Sequence, residues 1–127
     1  MNSLTLKYFD EKDFSRDDHR ADPIFYSNPM LVGPLDSLAL TTVEHIFASL
    51  IPKESDILDL MAGPDSHLRD ELIPKSVTGL GLNKVELEAN SKLSAIVIHD
   101  LNEDYNLPFD KNTFDVTINC VSVDYLI

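Results

Sequence analysis

Cysteine, basic residues and long apolar runs are all scarce in this chain of 127 residues, and each shortage excludes a class of protein. Cys120 is the only cysteine, so a disulfide framework within the chain is impossible. The 10 Lys and Arg residues face 22 Asp and Glu residues, which argues against a nucleic-acid partner, because such binding needs clustered basic side chains. No apolar run reaches the roughly 20 residues of a membrane-spanning helix. We therefore expect a cytoplasmic protein with neither a nucleic-acid nor a membrane partner.

The composition predicts a folded chain, because hydrophobic residues make up 43% of the sequence. Residues 1–22 are charged with scattered apolar side chains, and we interpret them as a loosely ordered arm or a short helix. Residues 23–127 are predicted to form one domain. The prolines and the glycine of residues 23–35 should prevent regular structure there, although the apolar residues among them indicate that this loop packs on something.

One helix is expected directly after this loop. Asp36 can accept hydrogen bonds from the amides of a first helical turn, and Pro52 should end the helix. The apolar residues around and between them recur at helical spacing, which predicts one apolar stripe along the helix. The stripe consists of Leu35, Leu38, Ala39, Val43, Ile46, Phe47 and Leu50.

The rest of the chain alternates between apolar strands and short helical or polar connections. Strands are predicted at residues 57–61, 77–82, 95–99 and 114–123. We expect a short helix at residues 84–91, with Leu87 facing inward, and a helical or irregular turn at residues 65–73. Strands separated by short crossovers favour a parallel sheet, and the continuous apolar run at residues 96–98 is typical of a strand buried on both faces.

The turn after the first predicted strand is the first candidate for a ligand site. Backbone amides at the end of a strand can face a ligand, and small residues let the ligand approach closely. Gly63 is the only glycine of this turn, however, and Pro64 has no amide hydrogen, so the local motif is weak. An ordinary turn capped by Asp65 is the alternative.

Polar residues also follow the second and third predicted strands. Asn83 stands where an acidic residue would bind the hydroxyls of a ribose, or else it caps the helix that begins at Lys84. Asp100 can accept a hydrogen bond from an adenine amino group, with Leu101 against the ring, or else it forms a local Asx turn. Cys120 is expected in the middle of a strand as a buried, inert thiol. The spacing of the histidines predicts no metal site.

Taken together, these motifs resemble class I S-adenosylmethionine-dependent methyltransferases, in particular a methyltransferase-like group of photosynthetic organisms and bacteria. Members of that group carry Asp-Leu-Met followed by Ser-His-Leu, which matches Asp59-Leu60-Met61 and Ser66-His67-Leu68 in this chain. The similarity covers roughly residues 23–127 and is most specific around residues 100–109 and 114–125.

The resemblance implies a partial Rossmann-like methyltransferase fold of the α/β class, with a mostly parallel sheet of about four strands and an N-terminal helix. It also implies S-adenosylmethionine as the small-molecule cofactor. The site residues that it implies are Asp59, Met61, Ala62 and Gly63 beside the methionine part, Asn83 near the ribose, Asp100 and Leu101 around the adenine, and Cys120 near the sulfonium. It identifies neither a catalytic residue nor a methyl acceptor.

The complete fold of that family has more strands than this chain supplies, so we expect an incomplete fold whose fourth strand has an unpaired edge. Such an edge invites another chain. We therefore predict either a homo-oligomer formed through residues 114–127 or a rearranged C-terminus that covers the edge. Two other functions stay open: a non-catalytic module that acts through protein contacts, and a fragment of a dinucleotide-binding oxidoreductase, which the missing Gly-x-Gly-x-x-Gly motif disfavours.

Overall fold

The computed structural model describes residues 11–15 and 19–126 of the chain. Most of the predicted N-terminal arm, at residues 1–10 and 16–18, lies outside the described residues, as does residue 127. Inside the arm, Glu11–Phe14 forms a single turn of 3-10 helix. A second such turn, Val123–Tyr125, lies near the C-terminal end of the described chain.

The described α-helices are α1 (Asp22–Phe25), α2 (Ser37–Leu50) and α3 (Lys84–Ala89). The expectation that prolines prevent regular structure from residue 23 onward is wrong at its start, because Pro23 stands in the first turn of α1, where its missing amide hydrogen breaks no helical hydrogen bond. The helix predicted after Asp36 is confirmed, with Asp36 Oδ1 accepting a hydrogen bond from the Ala39 amide at 2.8 Å. None of the helices in the described part of the chain is long and apolar enough to cross a membrane.

Within the described residues, four strands form one sheet: β1 (Asp56–Leu60), β2 (Ser76–Gly81), β3 (Ala95–Ile98) and β4 (Val116–Ile118). Their order across the sheet is β3-β2-β1-β4, and every neighbouring pair is parallel. The predicted α/β class with a parallel sheet is therefore confirmed. The chain moves outward from β1 to β3 and then returns to the other side of β1, so the strand order reverses between β1 and β4.

Two predictions about the strands are wrong. The strand expected at residues 114–123 is limited to the three residues of β4. Asn119 donates a side-chain hydrogen bond to the Leu60 carbonyl at 2.9 Å, and Val121 has a positive φ of 55°, so the chain leaves the extended conformation here. The strand expected to be buried on both faces is β3, but it lies at an edge of the sheet, and Ile98 is 51% exposed.

One cluster of the hydrophobic core covers one face of the sheet, and Leu58 and Leu80, which alternate with its strand residues, are buried on the other face. Residues paired in parallel register point to the same face of the sheet. Ile57 and its partner Val77 therefore share one face with Asp59 and its partner Ile118. The other members of this core are Ile51 and Leu68, with Phe47, Leu72, Leu93 and Val116 packed around them. Burying a side chain of this size contributes about 1.5–3 kcal/mol. Asp59 follows Ile57 by two residues, so it forms the polar end of the same face, close to where the site lies.

Candidate functional site

A cavity of about 430 Å³ lies at the carboxyl ends of the strands. All four strands contribute to its wall through the residues that follow them: residues 61–65 after β1, 82–83 after β2, 99 and 101–102 after β3, and 120–122 after β4. Parallel strands bring their carboxyl ends to one edge of the sheet, which is why four distant stretches of the chain meet there. The volume falls within the range of about 300–1,000 Å³ that is usual for small-molecule sites.

The lead-in segment, which we define as residues 26–35, forms another wall of this cavity. Two hydrogen bonds tie it to α3. The Asn83 side-chain amide donates to the Tyr26 carbonyl at 2.7 Å, and the Met30 amide donates to Glu86 Oε1 at 2.6 Å. The expectation that this proline-containing loop packs on the rest of the molecule is therefore confirmed, and the contact is polar as well as apolar.

Asp59 lies behind the turn that follows β1 and is only 5% exposed. Burial raises the pKa of its carboxyl to about 6, while a hydrogen bond with the Ser66 side chain acts in the opposite direction. Among the described residues, nothing donates a hydrogen bond to Asp59 Oδ2. Asn90 stabilises the turn itself, since its side-chain amide donates to the Gly63 carbonyl and to Ser66 Oγ, both at 2.9 Å.

Three non-glycine residues of the cavity wall have left-handed backbone conformations. The φ angles are 59° for Met61, 54° for His67 and 55° for Val121. The conformation is most costly for Val121, because a β-branched side chain crowds the following carbonyl when φ is positive. Strain of about 1–3 kcal/mol per residue is maintained only where the surrounding structure imposes it, and it is concentrated at functional sites.

The prediction that Cys120 lies in the middle of a strand is wrong. Cys120 lies in the segment after β4, where it is half-buried and lines the cavity. Burial raises the pKa of its thiol, and the nearby Asp59 and Asp65 carboxylates raise it further. A thiol in this environment is protonated at neutral pH and is therefore a poor nucleophile.

His67 also lines the cavity, beside Asp65. The distance from His67 Nδ1 to Asp65 Oδ2 is 3.3 Å, but the two atoms are not oriented for a hydrogen bond.

Six of the eight predicted site residues line the cavity: Met61, Ala62, Gly63, Asn83, Leu101 and Cys120. The other two have different surroundings. Asp59 is buried behind the wall, and Asp100 Oδ1 accepts a hydrogen bond from the Asn102 amide at 2.9 Å, which is the Asx-turn alternative. Asn83 also adopts its local alternative, since Oδ1 accepts hydrogen bonds from the Val85 and Glu86 amides and caps α3. The roles of all eight toward a cofactor stay predictions.

Glu86 and the lead-in segment are parts of the cavity that sequence reasoning did not identify. Glu86 is 8% exposed, and it stands three residues after the helix cap. A Glu at that position usually signals a capping box, in which it would bond back to the cap residue. Here it bonds to Met30 instead, a contact across 56 positions of sequence that no local pattern indicates.

The described residues contain no group of three or more His, Cys, Asp or Glu side chains that could hold a metal ion. Comparison with protein-family models finds no match, and searches of curated proteins and of solved structures find none either.

Proposed function

We propose that this chain binds S-adenosylmethionine in the cavity at the carboxyl ends of its strands, as a module similar to class I methyltransferases. The observation that carries the proposal is the place of the cavity in the sheet order β3-β2-β1-β4. Residues 61–65 and 120–122 are the segments that follow β1 and β4, the two strands between which the order reverses. In open parallel sheets, ligands bind outside the carboxyl ends at this reversal point.

The residues of the wall fit such a ligand. A Cβ atom added to Gly63 would find its nearest neighbour, Glu86 Oε2, 4.0 Å away, so the turn leaves room for close approach. Leu80, Leu82 and Leu101 supply apolar surface for a flat ring, while Met61 and Cys120 border the space between the ends of β1 and β4. When bound, S-adenosylmethionine supplies an activated methyl group. The contribution of the chain is to bind and orient it, which is most of what this chemistry requires of a protein.

Filling the cavity from Gly63 tests the proposal. Gly63 does not have a positive φ, so other residues can adopt its backbone conformation. In isothermal titration calorimetry, we expect the wild-type chain to bind S-adenosylmethionine. Gly63→Leu should lower the affinity at least about tenfold, equivalent to 1.4 kcal/mol. Gly63→Ala is the matched control, because its single methyl group makes no close contact. The absence of wild-type binding, or equal binding by the Leu variant, would count against the proposal.

A second candidate function is a non-catalytic module that associates with itself through β4 and the residues that follow it. Among the described strands, β4 pairs only with β1, and Val123 and Leu126 beyond it are 66% and 40% exposed. Light scattering over a range of concentrations should then show dimers that Val123→Asp dissociates. Leu107→Asp is the control, since Leu107 is also an exposed apolar residue, at 43%, but lies in the loop before β4. A wild-type chain that stays monomeric would exclude this candidate.

A further inference from the structure

In the described part of the chain, the formally charged side chains that line the cavity are of one sign. Among the described lining residues, Asp22, Asp65 and Glu86 are acidic and none is Lys or Arg. The basic side chains of the described wall are those of two histidines, His67 and His99. The Arg20 guanidinium lies 5.7 Å from the centre of the Phe25 ring and does not line the cavity. A site with such walls concentrates cations and repels phosphates.

Glu86 is the acidic residue of this wall on which the inference depends. It is 8% exposed, and Oε1 accepts the Met30 amide at 2.6 Å, which holds the carboxylate in place. Its Oε2 faces the Gly63 turn and accepts no hydrogen bond from the described residues. Lys84, two residues earlier on the helix, does not neutralise it, because its Nζ pairs with Glu88 Oε1 at 3.4 Å. Glu86 therefore presents a fixed and unpaired oxygen at the turn after β1.

A buried carboxylate acts more strongly on a ligand than an exposed one does, because the surrounding dielectric constant is lower and salt screens less. Glu86 Oε2 lies beside Gly63, which the resemblance to methyltransferases assigns to the methionine part of the cofactor. We infer that Glu86 makes the cavity selective for a positively charged ligand without phosphate, so that the sulfonium S-adenosylmethionine binds more tightly than the neutral thioether S-adenosylhomocysteine. This inference rests on the proposed function and adds a ligand class to it.

Calorimetry with three ligands tests the selectivity: S-adenosylmethionine, S-adenosylhomocysteine and ADP, which shares the adenosine but carries phosphates. For the wild-type chain, we expect the sulfonium to bind at least about fivefold more tightly than the thioether, and ADP to bind more weakly than either. In Glu86→Gln, the ratio between sulfonium and thioether should fall to within about twofold. Gln keeps the size of Glu and an oxygen for the Met30 amide, so the ratio reports charge and not the loss of a contact.

Glu71→Gln is the control, because Glu71 is exposed, does not line the cavity and lies outside the ion pair of Lys84 with Glu88. This variant should keep the wild-type ratio. Asp65→Asn provides a second variant, with a smaller expected decrease, since Asp65 is exposed. Wild-type binding with equal or reversed preference, or an unchanged ratio in Glu86→Gln, overturns this inference and leaves the proposed function standing. A wild-type chain that binds neither sulfonium nor thioether overturns both.

Discussion

The two ends of β1 place two aspartates of one strand in opposite environments. At the amino end, Asp56 accepts hydrogen bonds from Lys75 Nζ at 2.7 Å and Ser76 Oγ at 2.5 Å. These bonds hold the pKa of the Asp56 carboxyl below its usual value. At the carboxyl end, Asp59 is buried, one of its oxygens has no partner among the described residues, and burial raises its pKa. The same residue type is thus paired and ionised at one end and desolvated at the other.

The backbone shows the same difference. At the amino edge of the sheet, the Asp115 amide donates to the Asp56 carbonyl and the Asp56 amide donates to Asp115 Oδ2, both at 2.8 Å. At the carboxyl edge, Met61 and Val121 have positive φ angles and the cavity separates the chain segments. Positive φ angles occur on both sides, at Glu54 and Asn112 before the strands as well as at Met61 and Val121 after them. We conclude that the two edges differ in their side-chain partners and in open space: the amino edge holds the strands together, whereas the carboxyl edge has unpaired groups around an open site.

The largest effect that would sharpen this comparison is expected from Gly81→Ala, at the carboxyl end of β2. An added Cβ would lie 2.6 Å from the Ala62 carbonyl oxygen, and the Ala62 amide is already held by the Leu80 carbonyl at 2.8 Å. The turn after β1 would have to move, so we expect the free energy of unfolding to fall by about 3 kcal/mol and ligand binding to weaken. Chemical denaturation measures the first effect and calorimetry the second.

Gly33→Ala serves as the control for that substitution. Gly33 also lines the cavity, but an added Cβ would meet no atom within 4 Å. Its stability should stay close to that of the wild type. Equal stabilities for the two variants would show that the close approach of the β1 turn to β2 is not a constraint, and the contrast between the two edges would lose its steric basis.

Local patterns were sufficient to predict much of the fold. The cap at Asp36 and the helix after it depend on neighbouring residues, as do the apolar runs that became β1 and β2. The parallel arrangement also followed from the alternation of strands with crossovers. Leu87 faces inward as its spacing indicated, and it is 1% exposed. In each case the determining interactions lie within a few residues of one another.

The errors concern contacts between distant residues. The length of β4 depends on Asn119 reaching Leu60, and the exposure of Ile98 depends on which strand forms the edge of the sheet. The predictions about the site also differ according to whether they depend on neighbouring or on distant residues. A turn after β1 was predictable because strand ends in parallel sheets meet, whereas Glu86 enters the cavity through a bond to Met30, which the sequence pattern does not contain.

The second largest effect is expected on the pH dependence of stability, when Asp59→Asn is compared with the wild type. Since the pKa of Asp59 rises from 3.8 to about 6 on folding, the folded state holds the proton more tightly. Its contribution to stability is therefore complete below about pH 3.8 and is lost as the pH rises through 6. Asp59→Asn carries no charge at any pH. Relative to the wild type, it should gain roughly 2–3 kcal/mol between pH 4 and pH 8, as measured by chemical denaturation.

Asp56→Asn is the control with the opposite sign. The pKa of Asp56 is lowered on folding, chiefly by the Lys75 hydrogen bond, so its contribution is present above pH 3.8 and is lost as the pH falls. This variant should be less stable than the wild type at pH 8, and the difference should shrink in acid. If both aspartate variants change with pH in the same direction, the two ends of β1 do not differ as described.

The smallest expected effect is a gain of stability from Val121→Gly, beyond the end of β4. Val121 has a φ of 55°, which glycine adopts without steric cost, and its side chain is 50% exposed, so little packing is lost. The relief of strain exceeds the added entropy of the unfolded chain, and we expect a net gain of about 1 kcal/mol in the free energy of unfolding. Val123→Gly is the matched control: it is also exposed, at 66%, but has no positive φ and should lose stability. Because Val121 also lines the cavity, Val121→Ala is the reference for binding: it loses most of the same side chain but keeps a Cβ at the positive φ. If calorimetry shows weaker S-adenosylmethionine binding by Val121→Gly than by Val121→Ala, the strain at this edge serves the site and is not an accident of the turn.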